Sequence, residues 1–291
     1  MLTMLEIGQK ATQAILFELA TSPKPGLVDR RNSGAHLDMD YFTLSASVIA
    51  LAPYFTQFAQ IGATNIDRQP MELLDDLKRL GVEAEQAMFK MTGNVNTHKG
   101  AIFSIGLVSA AAGYLCKRDK VIASDSIGKI VSQMAVGICD REYYQLEQKQ
   151  NLTKGEKIYA KYGLKGIRGE VEQGFPSVLK FSYPILKKCL INKVPFNESM
   201  LETYLYLLCI VDDTNVLGRH DMKMLQWLKG EAQKLIGTGG ALKSGNLARL
   251  EYLDDQCIAK NVSPGGCADL LAVTAFIFFL EHPSWHYQVV Y

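Results

Sequence analysis

Apolar residues recur along almost the whole chain at the spacing of one face of an α-helix. Leu73, Leu77, Leu80, Ala84 and Met88 show this pattern, whereas alternating, strand-like runs bounded by turns are scarce. The pattern predicts an all-α protein, folded as a single compact multi-helix domain over residues 1–291. About ten helices are predicted, at residues 4–20, 38–60, 70–91, 97–117, 124–147, 169–190, 198–213, 219–236, 240–260 and 265–281.

Composition indicates a well-packed domain without a broadly charged surface. The chain has 291 residues, 48% of them hydrophobic, which is enough to bury a sizeable core. Its 31 basic and 30 acidic residues give a formal charge of +1, so no overall field attracts nucleic acid or an anionic membrane. An anionic ligand must therefore be held by a local cluster of cations. The sequence does not predict an oligomeric state.

Cysteine spacing and the amino terminus both indicate a cytoplasmic protein. The six cysteines are scattered singly, without a C-x-x-C pair, and are expected to be reduced core thiols. Residues 1–10 include Glu6 and lack the basic and apolar regions of an export signal. The apolar runs 101–116 and 270–280 are shorter than the roughly 20 residues that a bilayer requires. We therefore expect a protein that does not use a membrane.

A polar and basic segment stands directly before the apolar run that starts at Ala101. It contains Asn96, Thr97, His98 and Lys99. Thr97 is expected to cap the following helix, so that free backbone N–H groups and the Lys99 ammonium attract anionic oxygen. The segment predicts a phosphate site, and an ordinary capped helix with a surface lysine is the alternative.

The segment 22–40 carries three carboxylates in a loop whose entry is stiffened by two prolines. Asp29, Asp38 and Asp40 repel one another unless a cation or hydrogen bonds offset their charge. Bound magnesium is one explanation. The other is helix capping, with Asp38 as the cap, together with surface salt bridges.

Three further positions carry groups suited to a nucleotide. Glu85 is favoured over Glu83 as a site residue, since residues two apart face different sides of a helix. Arg168 lies in a glycine-punctuated segment that is either a lid over a polyphosphate or a mobile surface turn. Residues 212–213 are two acids at a helix end whose dipole they oppose, which slightly favours a functional role.

Near the carboxyl end, small and polar residues again precede an apolar helix. Ser263 is expected to cap it with Pro264 at the first helical position, which leaves backbone N–H groups near Gly265 and Gly266 open to a ligand. Asp269 then lies about one turn inside the helix. A carboxylate there is costly unless it is paired, which favours a functional role.

Five separated blocks of this sequence resemble the triphosphoribosyl-dephospho-CoA synthase family, in the family's order, over roughly residues 20–275. The blocks read Ser22-Pro-Lys-Pro-Gly-Leu-Val-Asp29, Gly34-Ala-His-Leu-Asp-Met-Asp-Tyr41, Val95-Asn-Thr-His-Lys-Gly-Ala-Ile-Phe103, Gly166-Ile-Arg-Gly-Glu170, and Ser263-Pro-Gly-Gly266 followed by Ala268-Asp-Leu-Leu-Ala272. Asn94 and Cys267 stand where the family pattern has glycine and serine.

The resemblance implies an all-helical transferase that joins ATP to 3'-dephospho-CoA and releases adenine. The product, 2'-(5''-triphosphoribosyl)-3'-dephospho-CoA, is the precursor of the prosthetic group of citrate lyase or malonate decarboxylase, and a separate transferase would load it onto the carrier protein. Because the ribose carbon C1'' exchanges partners, the transition state is expected to resemble an oxocarbenium ion. Mg²⁺ and cationic side chains would hold the intact triphosphate.

The resemblance and the residue chemistry together predict the members of the site. The predicted catalytic carboxylates are Asp29, Asp38, Glu85 and Asp269. The predicted metal ligands are Asp38, Asp40 and Glu85. The predicted substrate-binding residues are Lys24, Arg30, Asn96, Thr97, His98, Lys99, Arg168, Ser263, Gly265 and Gly266.

Two other function classes share some of these features. Magnesium-dependent helical ADP-ribosyl hydrolases also place loop carboxylates on an α bundle, but they transfer the sugar to water. A non-catalytic scaffold would use the glycine-rich loops to bind a partner protein. Adenine release that depends on dephospho-CoA distinguishes the synthase from the hydrolase, and failure to bind any nucleotide would favour the scaffold.

Overall fold

Helices and their connections make up the computed structural model, which describes residues 2–118, 121–144, 146, 149 and 151–287. The α-helices in these residues are α1 (Met4–Ala20), α2 (Tyr41–Thr64), α3 (Leu74–Met91), α4 (Lys99–Lys117), α5 (Ser124–Met134), α6 (Ile138–Tyr143), α7 (Lys154–Tyr162), α8 (Gly166–Glu172), α9 (Tyr183–Ile191), α10 (Phe196–Ile210), α11 (Thr214–Arg219), α12 (Met222–Gly237), α13 (Asn246–Ala259) and α14 (Gly265–Glu281). A 3-10 turn at Pro70–Leu73 precedes α3, and a π-helical turn at Val178–Ser182 precedes α9. No β-strand occurs in the described residues, so the prediction of an all-α fold is confirmed.

Helices α1, α2, α4 and α14 form the centre of the fold, with α4 packed against the other three. The contact between α2 and α4 depends on two glycines: a Cβ atom on Gly62 would overlap the carbonyl oxygen of Ala110, and one on Gly113 would overlap that of Ala59. Apart from Phe103, every residue of α4 from 101 to 116 is buried. The small residues of this run therefore allow helix backbones to pack closely.

Two helices, α2 and α4, are long and apolar enough to cross a membrane by composition alone. The interior of the protein accounts for the apolar character of α4, because 83% of its apolar window is buried. Helix α2 is less buried, at 39% of its window, and packs against α1, α3 and α4. Burial thus explains the apolar run of α4 without a bilayer.

Two predicted helices are interrupted where the backbone takes the left-handed conformation. The predicted helix 124–147 breaks at Gly137 (φ 69°) into α5 and α6, and its residues 145 and 147 lie outside the described residues. The predicted helix 169–190 breaks at Gly174 (φ 73°) and Phe175 (φ 63°). An L-residue adopts this conformation only at a cost, so a continuous helix cannot pass through these positions.

Two helices were not predicted, because polar residues made their segments look like loops. Helix α7 lies in the predicted loop 151–168 and begins at a capping box, in which Thr153 and Glu156 bond to each other's backbone N–H groups. Helix α11 lies in the predicted loop 211–218, with Asp213 as its cap. The spacing of Thr153 and Glu156 is therefore a helix-start signal that the sequence itself carries.

Candidate functional site

A cleft of about 910 Å³ opens where several loops and helix ends meet. Its walls come from the end of α1 and the loop that follows, from the beginnings of α2, α4, α7 and α14, and from α8 and α11. The amino-terminal end of a helix carries partial positive charge and free N–H groups, so such a cleft favours anionic groups. The polar segments that the sequence singled out therefore meet in one place.

Most of the predicted site residues line this cleft. They are Asp38, Asn96, Thr97, His98, Lys99, Arg168, Ser263, Gly265, Gly266 and Asp269. Five others do not line it. They are Lys24, Arg30, Asp29, Asp40 and Glu85.

Lys24 and Asp29 lie in the loop between α1 and α2, buried behind the residues that line the cleft. Lys24 is 1% exposed, pairs with the Glu18 carboxylate, and donates a hydrogen bond to the Glu18 carbonyl at 2.6 Å. Asp29 is also 1% exposed and accepts hydrogen bonds from the backbone N–H groups of Lys24 at 2.8 Å and Arg31 at 2.6 Å. Their positions correct the prediction that they contact substrate directly. Arg30 is exposed at the surface, where it donates to Asn197 at 3.4 Å.

The predicted metal ligands do not come together. Asp40 caps α2, and Glu85 pairs with Lys99 at 2.8 Å. Asp38 lies on the rim, 3.6 Å from His36, and does not cap a helix as predicted. Among the described residues, no group of three or more His, Cys, Asp or Glu side chains is placed to hold a metal ion. The described part of the chain therefore does not fit a magnesium site built by the protein alone.

Cationic side chains line the cleft on several sides. They are Lys99, Lys154, Lys165, Arg168 and Arg219. Arg168 extends from helix α8, not from a mobile turn, and its guanidinium pairs with Glu142. The Lys99 side chain is 57% exposed. These cations can neutralise the negative charge of a triphosphate. The net charge of the whole chain is close to zero and could not attract such a ligand by itself.

Asp269 lies in the cleft against the first turn of α4. A Cβ atom on Gly100 would overlap Oδ2 of Asp269, so the close approach of this carboxylate requires glycine at position 100. No hydrogen bond or ion pair holds the carboxylate within the described ranges. Desolvation, together with the negative charges of Glu18 and Asp213, raises the pKa of Asp269 well above its usual range. Asp269 is therefore a stronger proton acceptor than an exposed carboxylate.

Near Asp269, the Asp213 carboxylate accepts hydrogen bonds from the first turns of two helices, α11 and α14. The donors are the backbone N–H groups of Asn215 at 2.8 Å, Val216 at 3.2 Å and Cys267 at 2.8 Å. Asp213 thus caps α11, while Asp212 pairs with Lys229 at 2.6 Å, so both acids have partners, which corrects the interpretation of residues 212–213 from helix dipole alone. Asp213 also occupies one of the N–H groups at the start of α14 that were expected to be open to a ligand.

The predicted cap of α4 is wrong, and a hydrogen-bonded chain takes its place. Helix α4 begins at Lys99, and the hydroxyl of Thr97 donates to Ser47 Oγ at 2.7 Å and does not accept a hydrogen bond from a helix N–H. Ser47 Oγ lies 2.8 Å from Nδ1 of His98. Burial, with a smaller contribution from the positive charge of Lys24, lowers the pKa of His98 to about 4. His98 is therefore neutral at physiological pH and cannot be a cationic phosphate ligand.

The predicted cap of α14 is also wrong. Helix α14 begins at Gly265 with Pro264 as the cap residue. The Ser263 hydroxyl lies 2.8 Å from Nε2 of His36. Gly265 and Gly266 line the cleft and lie close to Asn215 and Asp213, where a Cβ atom would approach to 3.1 Å and 3.0 Å. Packing against Asn215 and Asp213 therefore favours glycine at positions 265 and 266, whether or not a ligand binds there.

Acid should destabilise the protein through His98. With a pKa of about 4 in the folded state against 6.5 for an ordinary histidine, the unfolded chain binds a proton between these values that the folded chain does not. The free energy of unfolding therefore falls as pH falls from 6.5 towards 4, by about 3 kcal/mol for this group. Urea unfolding at pH 7 and pH 4.5 should show a smaller difference in His98→Gln than in the unaltered protein, and equal differences would contradict the expectation.

Several residues of this region were not predicted. Glu18 and Arg219 line the cleft, and Ser47 lies behind it as the hydrogen-bond partner of His98. Glu18 follows Ile15 by three residues on the buried face of α1, and Ser47 precedes Val48 on the buried face of α2. A polar residue at an apolar position of the helical pattern is therefore the sequence signal that identifies Glu18 and Ser47. Arg219 carries no such signal, because it ends a helix that was not predicted.

Comparison with known proteins places the chain in a family. The sequence profile described as ATP:dephospho-CoA triphosphoribosyl transferase matches residues 4–287. The 2-(5''-triphosphoribosyl)-3'-dephosphocoenzyme-A synthase of Haemophilus ducreyi is 41% identical, with 95% of this chain and 88% of the relative covered. The synthase of the same name from Klebsiella pneumoniae is 39% identical (94% and 90% covered), and the probable synthase of Streptococcus mutans is 37% identical (96% and 97% covered).

The chain matches no solved structure. The family resemblance that the five sequence blocks indicate is nevertheless confirmed over nearly the whole chain, and nothing found supports the ADP-ribosyl hydrolase alternative. A helical protein whose cations and unpaired carboxylate share one cleft agrees with that result. The chain belongs to the ATP:dephospho-CoA triphosphoribosyl transferase family.

Proposed function

We propose that this cleft is the active site of an enzyme that transfers the triphosphoribosyl group of ATP to 3'-dephospho-CoA and releases adenine. One observation carries the assignment of the site: within the described part of the chain, the Asp269 carboxylate has no partner and shares the cleft with five cationic side chains. A reaction at the sugar of a nucleotide needs a proton acceptor near the sugar and cations around a triphosphate that stays intact. The names of the relatives support the choice of substrates.

The triphosphate binds along the start of α4 in this proposal. Lys99 and Arg168 neutralise its charge, and Asn96, Thr97 and the backbone of the first turn of α4 lie beside it on the cleft wall. Positive charge and helix N–H groups together favour phosphate oxygens. Ser263, Gly265 and Gly266 line another part of the cleft and are proposed to contact the substrates as well.

Asp269 accepts the proton of the attacking hydroxyl in this proposal. The 2'-oxygen of dephospho-CoA forms a bond to C1'' of the ATP ribose, while the bond from C1'' to N9 of adenine breaks and its electron pair stays on adenine. The hydroxyl proton moves to the carboxylate, and adenine takes up one proton from solvent as it leaves. Asp269 then returns its proton to solvent, so that protons and charge balance over the cycle. The carboxylate also stabilises positive charge that develops at C1''.

Magnesium is proposed only as a companion of ATP. The metal usually keeps several waters and is held by phosphates with one or two carboxylates. Asp38, on the rim of the cleft, is the one predicted metal ligand that lines it. None of the steps above depends on the metal.

The product would pass to another protein in the cytoplasm. The reaction makes a prosthetic-group precursor but does not attach it to a carrier protein. We therefore propose that a separate transferase loads the product onto the acyl carrier subunit of citrate lyase or malonate decarboxylase.

A direct assay tests this function. The protein is incubated with ATP alone and with ATP plus dephospho-CoA, adenine is measured by chromatography, and the product is weighed by mass spectrometry. The synthase should release adenine only when dephospho-CoA is present, with a product mass equal to both substrates minus adenine. Equal adenine release without dephospho-CoA would instead support a hydrolase.

Replacing Lys99 with alanine should weaken ATP binding without unfolding the protein. The side chain is 57% exposed and its ion pair with Glu85 adds little stability, whereas a charged contact to phosphate changes the dissociation constant by about tenfold. Calorimetric titration with ATP measures the effect. Lys223→Ala, an exposed lysine outside the cleft, is the control; equal ATP affinity in both variants would remove Lys99 from the site.

A further inference from the structure

His98 is a cleft residue with one ring nitrogen that has no hydrogen-bond partner among the described residues. The residue lines the cleft and is 6% exposed. Its Nδ1 is engaged by Ser47, but its Nε2 is buried and has no hydrogen-bond partner in the described part of the chain. Buried polar atoms without a partner are rare, since each loses its bonds to water without compensation. A ligand that supplies the missing partner would remove this cost.

The hydrogen bonds among Thr97, Ser47 and His98 determine which ring nitrogen of His98 carries the hydrogen. Thr97 donates its hydroxyl hydrogen to Ser47 Oγ at 2.7 Å. Ser47 has a single hydroxyl hydrogen and already accepts from Thr97, so we assign that hydrogen to Nδ1 of His98, 2.8 Å away. In a neutral imidazole, one nitrogen accepts and the other carries the hydrogen. Nε2 is therefore a donor, and its missing partner is an acceptor.

The surroundings of His98 favour a neutral acceptor. The apolar side chains of Ile15 and Leu44 line the same cleft, and Leu44 lies one helical turn before Ser47, the hydrogen-bond partner of His98. The imidazole is uncharged because burial and the nearby Lys24 ammonium oppose a second proton. Phosphate oxygens are better matched by the exposed cations. A purine ring offers acceptor nitrogens on an apolar body, which suits a neutral donor beside aliphatic side chains.

We propose that His98 binds the leaving adenine, with Nε2–H donating to N3 or N7 of the purine, and that Ser47 and Thr97 are positioning residues that hold this tautomer. The inference rests on the proposed function. As the bond between C1'' and N9 breaks, the electron pair moves into the purine ring, and a hydrogen bond to a ring nitrogen stabilises that charge. The Nε2 hydrogen is shared and not transferred, so the proton balance with Asp269 is unchanged.

Adenine analogues test the contact. The rates with ATP, 7-deaza-ATP and 3-deaza-ATP are measured in the unaltered protein, His98→Ala and His98→Gln, all with dephospho-CoA. Loss of one acceptor nitrogen should slow the unaltered protein about tenfold more than it slows His98→Ala, because only the former loses a hydrogen bond. His98→Gln, which keeps an N–H donor, should retain most of this discrimination. The same slowing factor in the unaltered protein and His98→Ala, for both analogues, would overturn the proposal.

Two further measurements separate this proposal from the proposed function. Calorimetric binding of free adenine requires no turnover, and it should weaken about tenfold in His98→Ala and less in Ser47→Ala, whose imidazole can still adopt the donor tautomer. His282→Gln is the matched control, because His282 also has a buried unpartnered Nε2 but lies at the opposite end of α14. Unchanged adenine affinity in His98→Ala would overturn the role of His98 even if the protein makes the expected product. A protein without synthase activity would overturn the proposed function, whatever its affinity for adenine.

Discussion

Replacing Asp269 with asparagine is expected to lower kcat for adenine release by about a thousandfold. The substitution keeps the size of the side chain but removes the proton acceptor, and a positioned acid or base contributes about 10² to 10⁴ in rate. The carboxylate is suited to this role because desolvation and two neighbouring acids raise its pKa. Steady-state assays with saturating ATP and dephospho-CoA measure the effect.

The same variant should be at least as stable as the unaltered protein. Asp269 has no hydrogen-bond or ion-pair partner among the described residues, so its charge costs folding free energy that asparagine does not. A loss of activity with an equal or higher melting temperature would show that the residue serves catalysis at the expense of stability. Asp255→Asn, an exposed carboxylate outside the cleft, should change neither property. Full activity of Asp269→Asn would remove it as the proton acceptor.

Replacing Lys24 with methionine is expected to destabilise the fold by about 3–5 kcal/mol, the usual cost of breaking a buried ion pair. Lys24 and Glu18 are 1% and 6% exposed. Without the ammonium, the Glu18 carboxylate remains buried and can no longer pair with Lys24. Urea unfolding at neutral pH measures the loss.

A second substitution separates charge from packing. In the double variant Glu18→Gln with Lys24→Met, neither member of the pair leaves an unpaired buried charge, so most of the lost stability should return. If the double variant is as unstable as Lys24→Met alone, the loss comes from packing and not from the unpaired carboxylate. Substitution of Lys24 is therefore expected to change the stability of the fold, whereas substitution of Lys99 is expected to change the affinity for ATP.

The sequence predicted the presence of most helices, whereas it did not predict where several of them end. The apolar spacing from Leu73 to Met88 predicted α3 directly, because helical periodicity depends only on nearby residues. The break at Gly174 and Phe175 depends on a close contact with α5, where the carbonyl oxygen of Gly128 approaches Gly174. Such a contact joins residues far apart in sequence, so no local pattern reveals it.

The segments that form the cleft were found, but the roles of individual residues in them were not. Thr97 and Ser263 have the sequence signature of helix caps, yet each hydroxyl bonds to a residue from a distant segment, Ser47 or His36. Their partners are brought close only when α1, α2, α4 and α14 pack. Capping propensity is a local preference, and a distant partner can override it.

By itself, the sequence determined the all-α fold, the family, and the polar segments that supply the site. Only the tertiary structure decided which charges in those segments are buried and paired and which face the cleft. Lys24 and Lys99 are alike as lysines in polar segments, and Asp29 and Asp269 are alike as carboxylates. The pairs differ because burial and pairing depend on how the chain folds around each side chain. Glu18 lies beside Lys24 and three backbone N–H groups hold Asp29, whereas Asp269 has no such partner among the residues that the structure describes.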